Sequence, residues 1–384
     1  MRIAPLLIAA ATTVSLSAAA AQTLNQTSGP WVLEKSGTTA GLRGIHAVGG
    51  GVAWASGTGG TVLRTEDGGY EWQSCALPPG AEKLDFRGIW AWDDNTALVL
   101  SSGPGDQSRI YKTTDGCAHW KLLFTNPDRE GFWDAMVFES RSRGYLLGDP
   151  VNGRFAFYST RNGGKDWKRS EAAGLEAGSG ATGVFAASNS ALLGGGTKPM
   201  LFGTGGAFIY RRSSSGAVDS TRGLEARHGM SRHRSESLRE RWSRIAIPLA
   251  RGGDAAGVFS IACHKRSTPG SEYTLVAVGG DYKKPDDPTG TAAWSSDGGL
   301  HWTASARPPH GYRSAVAWDA AAGAWIAAGP NGSDISRDDG KTWQPLDGVE
   351  TGGNWNALSL PWVVGAHGRI AKLDPGRLPK NPSR

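Results

Sequence analysis

The chain is 384 residues long, with 56 glycines, 16 tryptophans, only 3 cysteines and a formal charge of +6. Such a composition fits many short strands joined by tight turns and argues against a helical bundle. The odd cysteine count excludes a fully paired disulfide framework, no Cys-x-x-Cys spacing suggests structural zinc, and the basic excess is concentrated between Arg211 and Arg244, so the charge alone does not imply nucleic-acid binding.

The first residues read as an address. Met1-Arg2 supplies a positive start, Ile3 to Ser17 an apolar stretch and Ala19-Ala20-Ala21 a small-residue cleavage site, so residues 1–21 are expected to be a signal peptide and the mature chain periplasmic or secreted. No later run approaches the roughly 18 apolar residues of a spanning helix.

After this leader the chain repeats. The stretch Thr65-Glu66-Asp67-Gly68-Gly69-Tyr70-Glu71-Trp72 returns with the same spacing at Thr113 to Trp120, Thr160 to Trp167, Ser295 to Trp302 and Ser336 to Trp343. The acid, or Asn162 in one copy, caps a tight turn by accepting from backbone N–H groups ahead of it. Glycine takes the φ > 0 positions, and tryptophan opens the next strand with a large apolar surface.

Units 40 to 50 residues apart are expected to form one array rather than several domains. Unit one runs from Leu42-Arg43-Gly44-Ile45 to Trp72, unit two from Phe86-Arg87-Gly88-Ile89 to Trp120, and unit three from Phe132-Trp133-Asp134-Ala135-Met136 to Trp167. Unit four opens at Thr182-Gly183-Val184-Phe185, lacks the Asp-type turn and resumes at Trp242 after a basic insertion over 213–241 that is expected to be flexible. Units five and six end at Trp302 and Trp343. Unit seven has three strands, at Asn356 to Leu358, Trp362 to Val364 and Gly368 to Ala371.

Pro30-Trp31-Val32-Leu33-Glu34 resembles the segments that follow the turns, so it is expected to supply the missing strand and join the chain ends in one blade. The predicted fold is all-β: a closed seven-bladed β-propeller of four-stranded antiparallel blades over residues 22–374, with a Pro-rich disordered tail over 375–384. Cys75 and Cys117, in adjacent units, could pair or remain free, and the sequence leaves this open.

In such a ring the Asp-type turns share one face, and the loops between second and third strands share the other with the entries to the first strands. The second face is the candidate binding site. It gathers Arg43, Arg87, Trp133, Asp134, Arg313, Trp355 and Asn356 from strand entries, Asp149 from one loop, and Asp281, Tyr282 and Lys283 from a long loop. Arginine forks suit a carboxylate or phosphate, so the expected partner is a protein segment or an anionic small ligand.

The turns resemble the bacterial neuraminidase or Asp-box repeat of the sialidase-like superfamily. Gly279-Gly280-Asp281-Tyr282-Lys283-Lys284-Pro285, Tyr312-Arg313-Ser314-Ala315-Val316 and Gly329-Pro330-Asn331-Gly332-Ser333 resemble the exported photosystem II stability/assembly factor-like propellers. That resemblance implies a monomeric, non-catalytic binding or assembly scaffold. Two alternatives stand beside it. A sialidase-like glycoside hydrolase would need an arginine triad, for which Arg43, Arg87 and Arg313 are the candidates, but the expected Arg-Ile-Pro segment is absent from unit one. An oxidoreductase has no dinucleotide turn or haem-attachment motif behind it, and neither a cofactor nor a metal is expected.

Overall fold

In a computed structural model that describes residues 29–213, 240–265, 273–346 and 352–379, the chain forms seven sheets of four antiparallel strands arranged as a closed ring of blades. The expected signal peptide and all but the ends of the basic insertion lie outside the described residues. Blade one contains Leu42–Gly49, Val52–Gly57, Val62–Thr65 and Gln73–Ser74; blades two and three repeat the pattern from Phe86–Ala91 and Trp133–Phe138.

Alternation explains how the ring holds together. Successive strand residues face opposite sides, so each blade presents apolar side chains to both neighbours. Leu98, Leu100 and Ile110 of blade two meet Trp133, Met136 and Leu146 of blade three in one such layer, with Trp167 packed against it. At the closure Trp31–Glu34 pairs with Ile370–Leu373, placing Trp31 opposite Leu373 and Glu34 opposite Ile370. Glu34 Oε2 then accepts from the indoles of Trp72 at 2.8 Å and Trp362 at 3.1 Å, tying blade seven to blade one.

The Asp-type turns have the expected wiring. In the first copy Thr65 donates to Asp67 at 2.9 Å, Gly69 N donates to the Thr65 hydroxyl at 3.0 Å, and Glu71 N donates to Asp67 at 3.1 Å. Ser336, Asp338, Gly340 and Thr342 repeat the pattern in blade six. Cys75 and Cys117 are bonded, with Cα atoms 5.3 Å apart, so the pair left open by the sequence links blades one and two.

Three expectations require correction. Residues 375–379 do not trail away: Asp374 caps a 3-10 turn over Pro375–Arg377, Leu378 packs on the blade-seven core, and Arg337 donates to the Pro379 carbonyl. Asp149 belongs to a second strand, Gly144–Val151, with a bulge beside Pro150; the turn itself is at Asn152-Gly153, both with positive φ.

The largest departure is in blade four, whose first strand is Leu192–Gly195 rather than a strand from Thr182. Gly183 still accepts from Gly205 N, but Phe185 to Ser190 then leaves the sheet and crosses the central channel. Asn189 accepts from Met136 N at 2.8 Å, donates to Met136 O at 3.0 Å and donates to Ile89 O at 3.4 Å. Ser188 donates to Ser314 O at 2.7 Å, and Ser190 donates to Ser260 at 2.7 Å. One segment therefore touches blades two, three, five and six. Gly88 makes room for it, because a Cβ there would lie 2.8 Å from Asn189 Oδ1. Asn189 itself sits at φ +62, a conformation that asparagine tolerates better than most residues.

Candidate functional site

The crossing segment divides the channel into two mouths. The one away from the Asp-type turns is a cavity of about 490 Å³ whose floor includes Phe185, Ala186 and Ala187. First-strand residues reach it by alternation. Arg43, Arg87, Asp134, Phe259, Ser314 and Asn356 face the channel, whereas Trp133, Arg313 and Trp355, one residue earlier in their units, face the layers between blades.

The predicted residues accordingly separate into groups. Arg43, Arg87, Asp134, Asp149, Tyr282 and Asn356 line the cavity. Trp133 and Trp355 do not: both are fully buried, Trp133 stacked on Phe124 and Trp355 packed against Trp31 and beneath Arg369. Asp281 caps its own loop by accepting from Lys283 N at 3.0 Å, while Lys283 is exposed and outside the cavity lining.

Arg313 also lies outside the cavity, with no exposed surface. Its Nε donates to Asp334 at 2.7 Å, its Nη1 donates to both Tyr312 O and Asn331 Oδ1, and its Nη2 faces Asp334 and His310. His310 adds a 2.8 Å contact to the second Asp334 oxygen. This hydrogen bond raises the His310 pKa above its ordinary value, against burial and the neighbouring Arg313 charge. A three-arginine cluster is therefore not assembled.

The two arginines at the mouth are differently supplied. Arg87 Nε holds Asp85 at 2.8 Å, and Arg87 also donates to Ala186 O at 3.4 Å. Arg43 lies 4.0 Å from the other Asp85 oxygen, and its Nε is buried with no hydrogen-bond partner. Burial, then repulsion from Arg87, lowers the Arg43 pKa. Two guanidinium groups thus share one carboxylate.

Burial shifts two acids behind them, Asp134 and Asp149, toward the neutral form. Asp134 is buried and its Oδ2 has no partner; desolvation, followed by the proximity of Asp149, pushes its pKa well above the usual carboxylate range. Burial also raises Asp149, one oxygen of which accepts from Val184 N at 2.8 Å and so fixes the start of the crossing segment. Asp254 is the other acid in the lining.

An aromatic wall faces this polar side. Phe185 stacks on Phe259 with centroids 3.7 Å apart, and Tyr312 meets the same ring edge-on at 4.7 Å. Tyr282 completes the wall 6.2 Å from Phe259 and remains 47% exposed. Sequence reasoning missed Asp85, Phe185 and Tyr312. Asp85 precedes Phe86-Arg87 at the strand entry and was the legible one; Phe185 was hidden by the departure from the repeat.

The fold and site define a class: a seven-bladed propeller with a channel blocked midway and a ligand-sized mouth on one face. No family model and no curated protein matches this chain. Solved structures do. YCF48 bound to a D1 peptide is 16% identical with a TM-score of 0.57, the match covering 90% of this chain and 96% of that one. YCF48 from Cyanidioschyzon merolae is also 16% identical, with a TM-score of 0.54, covering 90% and 99%. The extracellular domain of a putative hybrid two-component system from B. thetaiotaomicron is 10% identical with a TM-score of 0.55, covering 90% of this chain and 40% of the other. At these identities the likeness shows a YCF48-like propeller fold.

Proposed function

We propose that this chain is an exported, non-catalytic binding or assembly scaffold that holds an acidic segment of another exported protein in the mouth lined by Arg43 and Arg87. The observation that carries the reading is the under-pairing of the two guanidiniums: they share Asp85, and Arg43 Nε is buried with no hydrogen-bond partner, while burial favours the neutral form of Asp134. A peptide carboxylate would restore the pairing, and the Phe185, Phe259 and Tyr282 wall would take the adjacent apolar side chain. The neighbour YCF48, solved with a D1 peptide, supports a peptide ligand for this fold. The glycoside-hydrolase alternative is weakened because Arg313 is committed to Asp334.

The test uses isothermal titration of the mature chain with acidic peptides containing one aromatic residue, and with the same peptides carrying Gln and Asn in place of Glu and Asp. The acidic set is expected to bind about tenfold more tightly, an advantage that Arg43→Ala/Arg87→Ala abolishes. Equal affinity for both sets, or an acidic preference surviving in the double variant, refutes the reading. Cell fractionation checks export: the full chain is expected outside the cytoplasm and a variant lacking residues 2–21 inside it, and the same location for both would refute export.

A further inference from the structure

The opposite mouth has a different chemistry. Below the crossing segment, on the side of the Asp-type turns, lies a second cavity of about 330 Å³. Its wall is apolar and polar in about equal parts, the apolar part coming from Ile45, Trp90, Met136, Leu192, Ile261 and Leu358.

The polar groups at this end are unevenly committed. Asn189, Ser188 and Ser190 on the floor are engaged with neighbouring blades through the bonds described above. Glu139 at the edge accepts from the Tyr145 hydroxyl at 2.6 Å and faces Arg143 at 3.5 Å. Ser359 accepts from Ala47 N at 2.9 Å.

Two groups differ from these. His46 receives the Ala91 backbone N–H on Nδ1 at 3.3 Å, which assigns the ring proton to Nε2. Desolvation holds its pKa at about 4, so the ring is a neutral donor at physiological pH, and it packs against Trp90 with centroids 4.4 Å apart and the planes tilted by 39°. Across the channel, blade four contributes Lys198, an exposed cation on the cavity rim.

We propose that this cavity is a second ligand site, separate from the arginine mouth, for a compact apolar anion such as an aromatic carboxylate. The ring of the ligand lies against Trp90, Leu192 and Leu358, Nε2–H of His46 donates to an acceptor on it, and the anionic group points to Lys198. The volume is within the lower range of small-molecule pockets, and a wall that sets apolar side chains beside placed polar ones suits a ligand with one apolar and one anionic end. Because the floor is closed by satisfied hydrogen bonds, a ligand entering here does not reach Arg43 or Arg87.

The experiment is isothermal titration of the full mature chain with 1-naphthylacetate and, as its neutral counterpart, 1-naphthylmethanol. Because the arginine mouth also suits a carboxylate beside an aromatic ring, the titration is run in the Arg43→Ala/Arg87→Ala background, where one site is expected for the anion, weakened about fivefold by adding Lys198→Ala. The neutral compound should bind more weakly in that background and equally with and without Lys198→Ala. Since Lys198 is exposed, its replacement leaves folding intact, which circular dichroism checks. Absence of binding in that background, or an anion affinity there indifferent to Lys198→Ala, would each overturn the proposal.

Discussion

Arg313 and the Arg43–Arg87 pair put the same residue type at neighbouring register positions of the propeller and obtain opposite roles. Arg313 points away from the channel on the blade-five side of blade six, where Asp334, Asn331, His310 and Tyr312 O surround it. Arg43 and Arg87 point into the channel, are about a third exposed and have one carboxylate between them. A buried, fully paired charge is a structural element whose loss leaves its partner stranded. A partly hydrated, under-paired one is free to exchange water for a ligand.

The comparison can be broken most forcefully at Arg313. Arg313→Ala should cost about 4 kcal/mol in urea unfolding because Asp334 is left buried, while the folded fraction keeps its acidic-peptide affinity. A mild stability loss together with lost affinity would reverse the assignment of roles.

Asn189→Ala tests whether the mouth depends on its floor. Met136 N and two carbonyls lose their partner, for an expected loss of about 2 kcal/mol, and peptide affinity should fall as Phe185 loosens. Unchanged affinity in this variant would detach the floor from the site.

Asp338→Ala serves as the control on the far face. It removes a turn cap, at about 1 kcal/mol, and should leave both ligand affinities unaltered; titration and melting measured together decide this. Arg43→Ala and Arg87→Ala singly should change stability by less than about 1 kcal/mol while weakening the acidic peptide.

The two regions also differ in pH response. The His310 pKa is raised in the folded protein, so its contribution is fully present below about 6.5 and is lost as pH rises through the higher folded value. Asp134 is raised as well, so its contribution is present below about 4 and is lost as pH climbs through its folded value. His310→Gln should therefore flatten the stability profile from near neutrality upward. Asp134→Asn should flatten it from acid pH upward and leave the protein more stable at pH 7 relative to its own acid limit than wild type is. Profiles that retain their wild-type slopes would contradict these environments.

Local chemistry was enough to reveal the ring. Each Asp-type turn is written in consecutive residues, from Thr65 through Trp72 in the first copy, and its hydrogen bonds close within that stretch. The match of Pro30 to Glu34 to other post-turn strands disclosed the closure for the same reason. Alternation, read strictly, also separates Arg43 and Arg87 from Arg313, Trp133 and Trp355, since a shift of one residue turns a strand side chain from the channel to the layer between blades.

Other features depended on contacts that no local pattern encodes. Phe185 to Ser190 carries no strand or turn signature of its own; it crosses the channel because Asn189 and Ser188 find backbone groups of Met136, Ile89 and Ser314, from three other blades. The pairing of Cys75 with Cys117 required the approach of blades one and two. The under-pairing of Arg43 and Arg87 likewise belongs to the assembled ring, because it is the converging blades that give the two guanidiniums one shared carboxylate and bury Asp134 away from water, which favours its neutral form.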